Sequence, residues 1–175
     1  LLSLSGAFKP HHDQATSVPT EILLEAGNAF SPKFPVKQAS DPKLLVKDEE
    51  ALKNWFDDPL CSKEKMKVGS VVEIHRCQAE LPSLVCEINT PMFMMIGEDD
   101  RVVSLEGSEM MLNCKSKKQF DYYMSPPHTQ SQMKIYDGGR QNLLAEPGLK
   151  EKVISDIKDW ILHRVWCESG CDVAQ

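Results

Sequence analysis

An α/β fold built on parallel strands is what this sequence predicts, and three observations carry the prediction. Apolar runs of strand length occur at 1–5, 92–96 and 133–136, and residues 104–113 and 148–166 read as helices. The order strand, helix, strand, helix over the C-terminal part is the pattern of parallel strands joined by crossover helices. With 175 residues, 41% of them hydrophobic, the chain can bury one core of ordinary domain size.

Taken in order, residues 1–5 (LLSLS) read as a buried strand, and 6–17 (GAFKPHHDQATS) as a loop. A helix follows over 19–30, with Ile22, Leu23, Ala26 and Phe30 on one face. Prolines at 32, 35 and 42 then interrupt a Lys-rich, weakly periodic stretch. That pattern blocks a long helix and predicts an irregular segment, closed by Asp57, Asp58, Pro59 and Leu60. Between 62 and 76, Met66, Val72 and Ile74 point to a helix softened by Gly69. The second strand covers 92–96, and the next helix, over 104–113, starts on Ser104 as its N-cap. Residues 120–132 (FDYYMSPPHTQSQ) are polar and longer than a usual connection, which reads as a surface insertion. The third strand covers 133–136. The last helix, over 148–166, carries the clearest stripe in the chain, Leu149, Val153, Ile157, Trp160, Ile161 and Val165, with Pro147 where helices start.

Composition excludes several function classes. A net charge of −6 without any block of Lys and Arg argues against a nucleic-acid partner, because phosphate binding needs clustered cations. The apolar runs fall far short of the roughly 20 residues that span a bilayer, and no charged segment followed by an apolar one marks a signal peptide. Six cysteines without regular spacing point to reduced thiols and a cytoplasmic location. The chain opens on Leu1, already inside a strand pattern, which leads us to expect further sequence upstream.

The chemistry-bearing residues cluster after the second and third strands. Residues 90–103, TPMFMMIGEDDRVV, form a strand-length apolar run that stops at Gly97 and delivers an acidic group into a loop; 134–146, KIYDGGRQNLLAE, form another that ends in a Gly-Gly turn. This spacing resembles the last third of an α/β-hydrolase of the monoacylglycerol lipase-like, serine aminopeptidase S33 group. In that family the first strand end carries the triad aspartate in a Gly-x-x-Asp-x-x-Val pattern, matched here by Gly97, Asp100 and Val103, and the second carries the triad histidine. The resemblance implies that Asp100 holds the acid position and that Gln141 stands where the histidine belongs. It further implies a fold that is the C-terminal part of an α/β-hydrolase, three parallel strands with flanking helices, plus a partly helical cap or lid. The partial hydrolase domain then covers 1–175, with the cap inserted over 10–60 and the N-terminal half of the family fold missing. Such a remnant would expose the edge and apolar face of its first strand.

The family's chemistry needs a serine on a strained strand-to-helix turn, a histidine that takes its proton, and an aspartate that orients the imidazole. No Gly-x-Ser-x-Gly elbow occurs in the 175 residues. A carboxamide at 141 neither accepts nor returns a proton near neutral pH. The resemblance therefore implies a truncated or degenerate serine hydrolase, inactive as it stands, whose relatives cleave acyl esters of glycerol and lysophospholipids. It implies an acyl-ester lipid as the family's substrate, peripheral membrane contact through the cap, and no cofactor or metal. A non-catalytic lipid- or partner-binding pseudoenzyme is the alternative, and an incomplete gene product without a role is a third.

Other candidates have plainer readings. Without the resemblance, Glu98, Asp99 and Asp100 are a polar turn; with it, Glu98 and Asp99 are solvated loop residues beside Asp100. Ser5 precedes Gly6 at a strand end, but Pro10 keeps the segment from opening a helix promptly, so Ser5 reads as a pocket-lining or packing residue. His11, His12 and His128 lie in loops near the expected pocket mouth and read as exposed residues rather than displaced bases. His163, Cys167 and Cys171 recur every four residues, a ligand-like spacing at a helix end that Gly170 breaks. The methionines at 92, 94, 95, 110 and 111 read as core. For Ile22, Leu23, Leu24 and Phe30 ordinary packing competes with display toward substrate or bilayer.

Overall fold

The computed structural model describes residues 1–38, 41–85, 87, 88, 90–118 and 131–168. Most of the surface insertion expected over 120–132, with His128 and Cys171, lies outside the described residues.

The sheet has three strands, β1 (Leu2–Leu4), β4 (Phe93–Gly97) and β5 (Gln132–Tyr136), in the order β1-β4-β5. Both pairings are parallel, with Leu2 opposite Phe93 and Phe93 opposite Gln132. The central strand is buried at every position, as a strand covered on both faces must be. Its side chains alternate between two cores. Phe93 and Met95 join Tyr136, Leu143 and Val153, against which Leu149, Ile157 and Trp160 pack from α6 (Lys150–Glu168) and the turn before it. The Phe93 and Trp160 rings stack with centroids 5.7 Å apart. Met92 and Met94 point the other way and meet Val85 of α4 (Val68–Val85) and Met111 of α5 (Leu105–Lys118). Of the methionines read as core from the sequence, Met92, Met94, Met95 and Met111 are buried, and Met110 packs against the second core half-buried.

The expected exposure of the first strand is also present. Leu1, Leu2 and Leu4 keep 55%, 36% and 36% of their surface, so this strand is an uncovered edge and not a buried one.

Residues 31–67 are more regular than their prolines predict. Pro35 opens β2 (Pro35–Gln38) and Pro42 sits in the first turn of α2 (Pro42–Leu45), two positions where the missing N–H costs nothing. Asp48 caps α3 (Glu49–Asp57) by accepting the Ala51 N–H at 2.7 Å. β3 (Lys65–Lys67) then pairs antiparallel with β2, Pro35 opposite Lys67. The helix expected over 62–76 therefore begins only at Val68, where its free N–H groups find backbone acceptors: Val68 donates to the Phe34 carbonyl and Gly69 to that of Pro32, each at 2.9 Å. It runs on through Pro82 to Val85, because Leu81 and Val85 reach the methionine core.

Helix α1 (Val18–Phe30) lies on α4, and Arg76 clamps the pair by donating to both carboxylate oxygens of Glu25 at 3.3 and 2.7 Å. Ordinary packing does not account for its apolar face: Ile22, Leu23 and Phe30 are 65%, 71% and 91% exposed. No helix among the described residues is long and apolar enough to cross a membrane.

The last helix also starts later than its proline predicts. Pro147 and Gly148 form a turn, and α6 begins at Lys150. Of its stripe, Val153, Ile157 and Trp160 serve the core, while Ile161 and Val165 remain 41% and 56% exposed. The helix is fastened to β5 by Asp156, which accepts from Lys134 Nζ and from the Tyr136 hydroxyl, each at 2.7 Å. Desolvation pushes the Asp156 carboxyl up, but these two donors and the Lys134 charge outweigh it and hold the group below its usual range. A carboxyl lowered on folding contributes stability above its unfolded pKa, near 4, and loses it as pH falls through the lower folded value. Asp156→Asn is thus expected to cost about 1–2 kcal/mol at pH 7, with the gap closing below about pH 4. Urea melts of the two proteins at pH 7 and pH 3 measure it; an equal gap at both would show that the charge on Asp156 is irrelevant.

Candidate functional site

Because β4 and β5 run parallel, the loops that leave their carboxyl ends emerge on one side of the sheet, where open α/β sheets place their sites. Residues 98–103 and 137–142 form these loops, so Asp100 and Gln141 arise from the same end, as the sequence leads one to expect. The two loops touch. Asp99 N–H donates to the Gly139 carbonyl at 2.9 Å, and Glu98 N–H to that of Tyr136 at 2.9 Å. Gly97 makes the contact possible, since a Cβ there would lie 2.2 Å from the Gly139 oxygen. Gly138 supplies the left-handed residue of the Gly-Gly turn, with φ of 63°.

Asp100 is 6% exposed. One carboxylate oxygen, Oδ1, accepts the N–H groups of Val102 at 2.8 Å and Val103 at 3.0 Å, which locks the side chain to its own loop. The other, Oδ2, is buried and has no hydrogen-bond partner among the described residues. Buried carboxylate oxygens are rarely left so, and an unfilled acceptor calls for a donor. Val102 and Val103 line a groove of about 180 Å³ whose walls include Pro10, Gln14, His75 and Gln141. Gln141 thus shares a cavity with the two residues that hold Asp100. The Asp100 side chain itself is not part of the groove wall.

The loop at 9–11 closes one side. Ser104 donates to the Lys9 carbonyl at 2.8 Å, His11 to that of Val102 at 3.0 Å, and Pro10 bridges Val103. This places His11 near the groove, as anticipated, whereas His163 borders a different cavity beside α6 and His75 lies in the groove wall from α4. The His163, Cys167 and Cys171 set falls partly outside the described residues. Ser5 ends β1 with φ of 43°, a strained value for a residue with a side chain. Its hydroxyl is buried without a partner among the described residues, which fits a packing role and not an accessible nucleophile.

Sequence reasoning missed the cross-braces from the segment around α2. Lys47 Nζ donates to Asp99 Oδ2 at 2.8 Å and also to the Gly138 carbonyl, so one ammonium joins both loops. Its hydrogen bond and its charge, in that order, hold the Asp99 carboxyl below the usual carboxylate range. Arg140 reaches back to the carbonyls of Lys43 and Val46, the latter at 2.9 Å, and Asn142 N–H donates to that of Leu45 at 2.9 Å. Asp99 is thus partnered as well as solvated. Nothing in the pattern marks Lys47 out among the lysines around it, because its partners lie 52 and 91 residues away.

Comparison with known proteins agrees with this architecture. Residues 1–148 match the family described as serine aminopeptidase, S33. The monoglyceride lipase homolog of Monkeypox virus is 24% identical over 125 residues, which are 71% of this chain and 41% of that protein. Among solved structures, a soluble variant of monoglyceride lipase from Saccharomyces cerevisiae, in complex with a substrate analog, superposes with a TM-score of 0.71 at 20% identity, covering 93% of this chain and 55% of that one. Paleococcus ferrophilus monoacylglycerol lipase superposes with a TM-score of 0.76 at 16% identity, covering 93% and 58%. The chain spans between 41% and 58% of the length of these relatives. By its matched residues and its parallel sheet, this chain belongs to the serine aminopeptidase S33 family of α/β-hydrolases.

Proposed function

We propose that these 175 residues form the acid-and-base half of a monoacylglycerol lipase-like serine hydrolase whose base has been replaced, so that the chain as it stands does not hydrolyse esters. Asp100 occupies the acid position and Gln141 the base position. The observation that carries the reading is the state of the Asp100 carboxylate: buried, fixed through Oδ1 by two backbone donors, with Oδ2 lacking a donor among the described residues, as an oxygen that once accepted an imidazole N–H would. Gln141, on the adjoining loop, could at most donate an amide N–H to such an oxygen, which orients nothing that can carry a proton. An acylglycerol ester is the substrate class this reading implies, and the exposed Ile22, Leu23 and Phe30 of α1 support contact with a lipid surface.

The second reading, a pseudoenzyme that binds lipid without cleaving it, is favoured by the retained groove and the exposed helix together. Fluorophosphonate labelling tests the first. Such probes react with a serine activated by a paired base, and neither partner stands in the family position within these residues. The purified chain should remain unlabelled and turn over a short-chain ester no faster than blank. Stoichiometric labelling at any serine would overturn the proposal, and His12 and His128 would be the first bases to substitute.

A further inference from the structure

The loop between β1 and α1 holds a second cluster that the hydrolase reading does not use. His11, His12 and Asp13 are consecutive, yet their ligand-type atoms all lie within 4.8 Å of one another. His11 Nδ1 is 3.4 Å from Asp13 Oδ2, and His12 Nε2 is 3.0 Å from Asp13 Oδ1. These two contacts use different oxygens of Asp13, and ligands bonded at about 2.0–2.2 Å to one tetrahedral ion stand about 3.3–3.6 Å apart, so donors lying within 4.8 Å of one another need only small side-chain rotations to close on one small cation. No other such group of His, Cys, Asp and Glu occurs among the described residues.

The loop is pinned on both sides of the cluster. His11 N–H is held by the Val102 carbonyl at 3.0 Å, while Gln14 and Ala15 donate back to the carbonyls of His11 and His12 in a short 3-10 turn over His12–Gln14. Three donors held by a braced backbone lose little freedom when they close on an ion. The present partner of His11 Nδ1 is weak, the Asp13 N–H at 3.3 Å, and gives up little if a metal takes the lone pair. His12 and Asp13 are open to solvent, which leaves the remaining coordination positions to water.

We propose that His11, His12 and Asp13 form a binding site for a divalent transition-metal ion of the zinc class. Two imidazoles and one carboxylate suit a borderline ion, whereas magnesium and calcium take all-oxygen sets. The site stands beside the groove wall formed by Pro10 and Gln14, and it is independent of whether Gln141 occupies the base position.

Zinc titration of the full 175-residue chain at pH 7.5, followed through the imidazole resonances of isotopically labelled protein, tests this directly. The resonances assigned to His11 and His12 by single alanine variants should move together and saturate at one equivalent, while those of His75 and His163 stay in place. Zinc captured by cysteines leaves the His11 and His12 resonances unmoved and counts against the site. Asp13→Asn and His12→Ala alter exposed side chains, so their melting curves should match the parent, and each should weaken binding by about tenfold or more. No displacement of His11 and His12 at several equivalents, or equal affinity in the Asp13→Asn and His12→Ala variants, would overturn the proposal.

Discussion

Gln141→His, in a chain extended by the N-terminal portion of a monoacylglycerol lipase relative, is expected to raise monoacylglycerol hydrolysis by about 10⁴- to 10⁶-fold over the same extended chain with Gln141, the scale on which losing a triad base acts. The extension would supply the serine and the backbone donors of the oxyanion hole; the substitution would supply the group that takes the serine's proton. The loop needs no rebuilding for this. Its turn is set by Gly138, its neighbour Arg140 is anchored to the Val46 carbonyl, and Asn142 N–H is held by the Leu45 carbonyl, so residue 141 sits between two fixed points. In the unextended chain the same substitution should restore nothing, since there is no attack for the base to assist. Initial rates on a short monoacylglycerol for the two extended proteins decide the matter. Equal rates would show that another residue acts as base and that Gln141 does not stand in its place.

Asp100→Asn in that extended Gln141→His protein should remove about 10³- to 10⁴-fold of the restored kcat with little change in KM. The amide oxygen can still accept from Val102 and Val103, as Oδ1 does now at 2.8 and 3.0 Å, so the loop should keep its shape and the melting temperature its value. At the Oδ2 side, however, an amide group would offer hydrogens where an acceptor is needed. The imidazole would then be held in the wrong tautomer and its charged form left without a counter-charge. The same substitution in the Gln141 background should change nothing measurable, because no base is there to orient. Full activity after Asp100→Asn would remove the aspartate from the proposed mechanism.

The elements nearest this site are those most legible in the sequence. Residues 92–96 form an unbroken apolar run of strand length that stops at Gly97, as a strand covered on both faces would, and the resemblance to the family's Gly-x-x-Asp-x-x-Val pattern places Asp100 in the loop it releases. The strand at 133–136 and the helix containing Val153, Ile157 and Trp160 follow from local periodicity alone, to within one or two residues at most ends. Periodicity misleads at Ile161 and Val165, which continue the stripe beyond Trp160, the last residue of it packed against the core, and remain exposed.

Residues 31–67 were not legible for a different reason. Prolines at 32, 35 and 42 read as breaks, yet β2 and β3 form by pairing with each other across some thirty residues of chain, and that pairing is what delays the start of α4 to Val68. Hydrogen bonds of this kind leave no periodic trace in either partner. The sequence by itself determined the parallel α/β framework and the two loops after β4 and β5, because alternation, apolar runs and glycine stops are local properties; Asp100 and Gln141 stand out in those loops only through the resemblance to the family's motif. Only the tertiary structure decided that the two loops touch through Gly97 and Gly139, that Lys47 ties both together, and that Oδ2 of Asp100 is buried without a donor among the described residues. Each of these depends on which distant backbone a residue meets, and sequence spacing does not encode that.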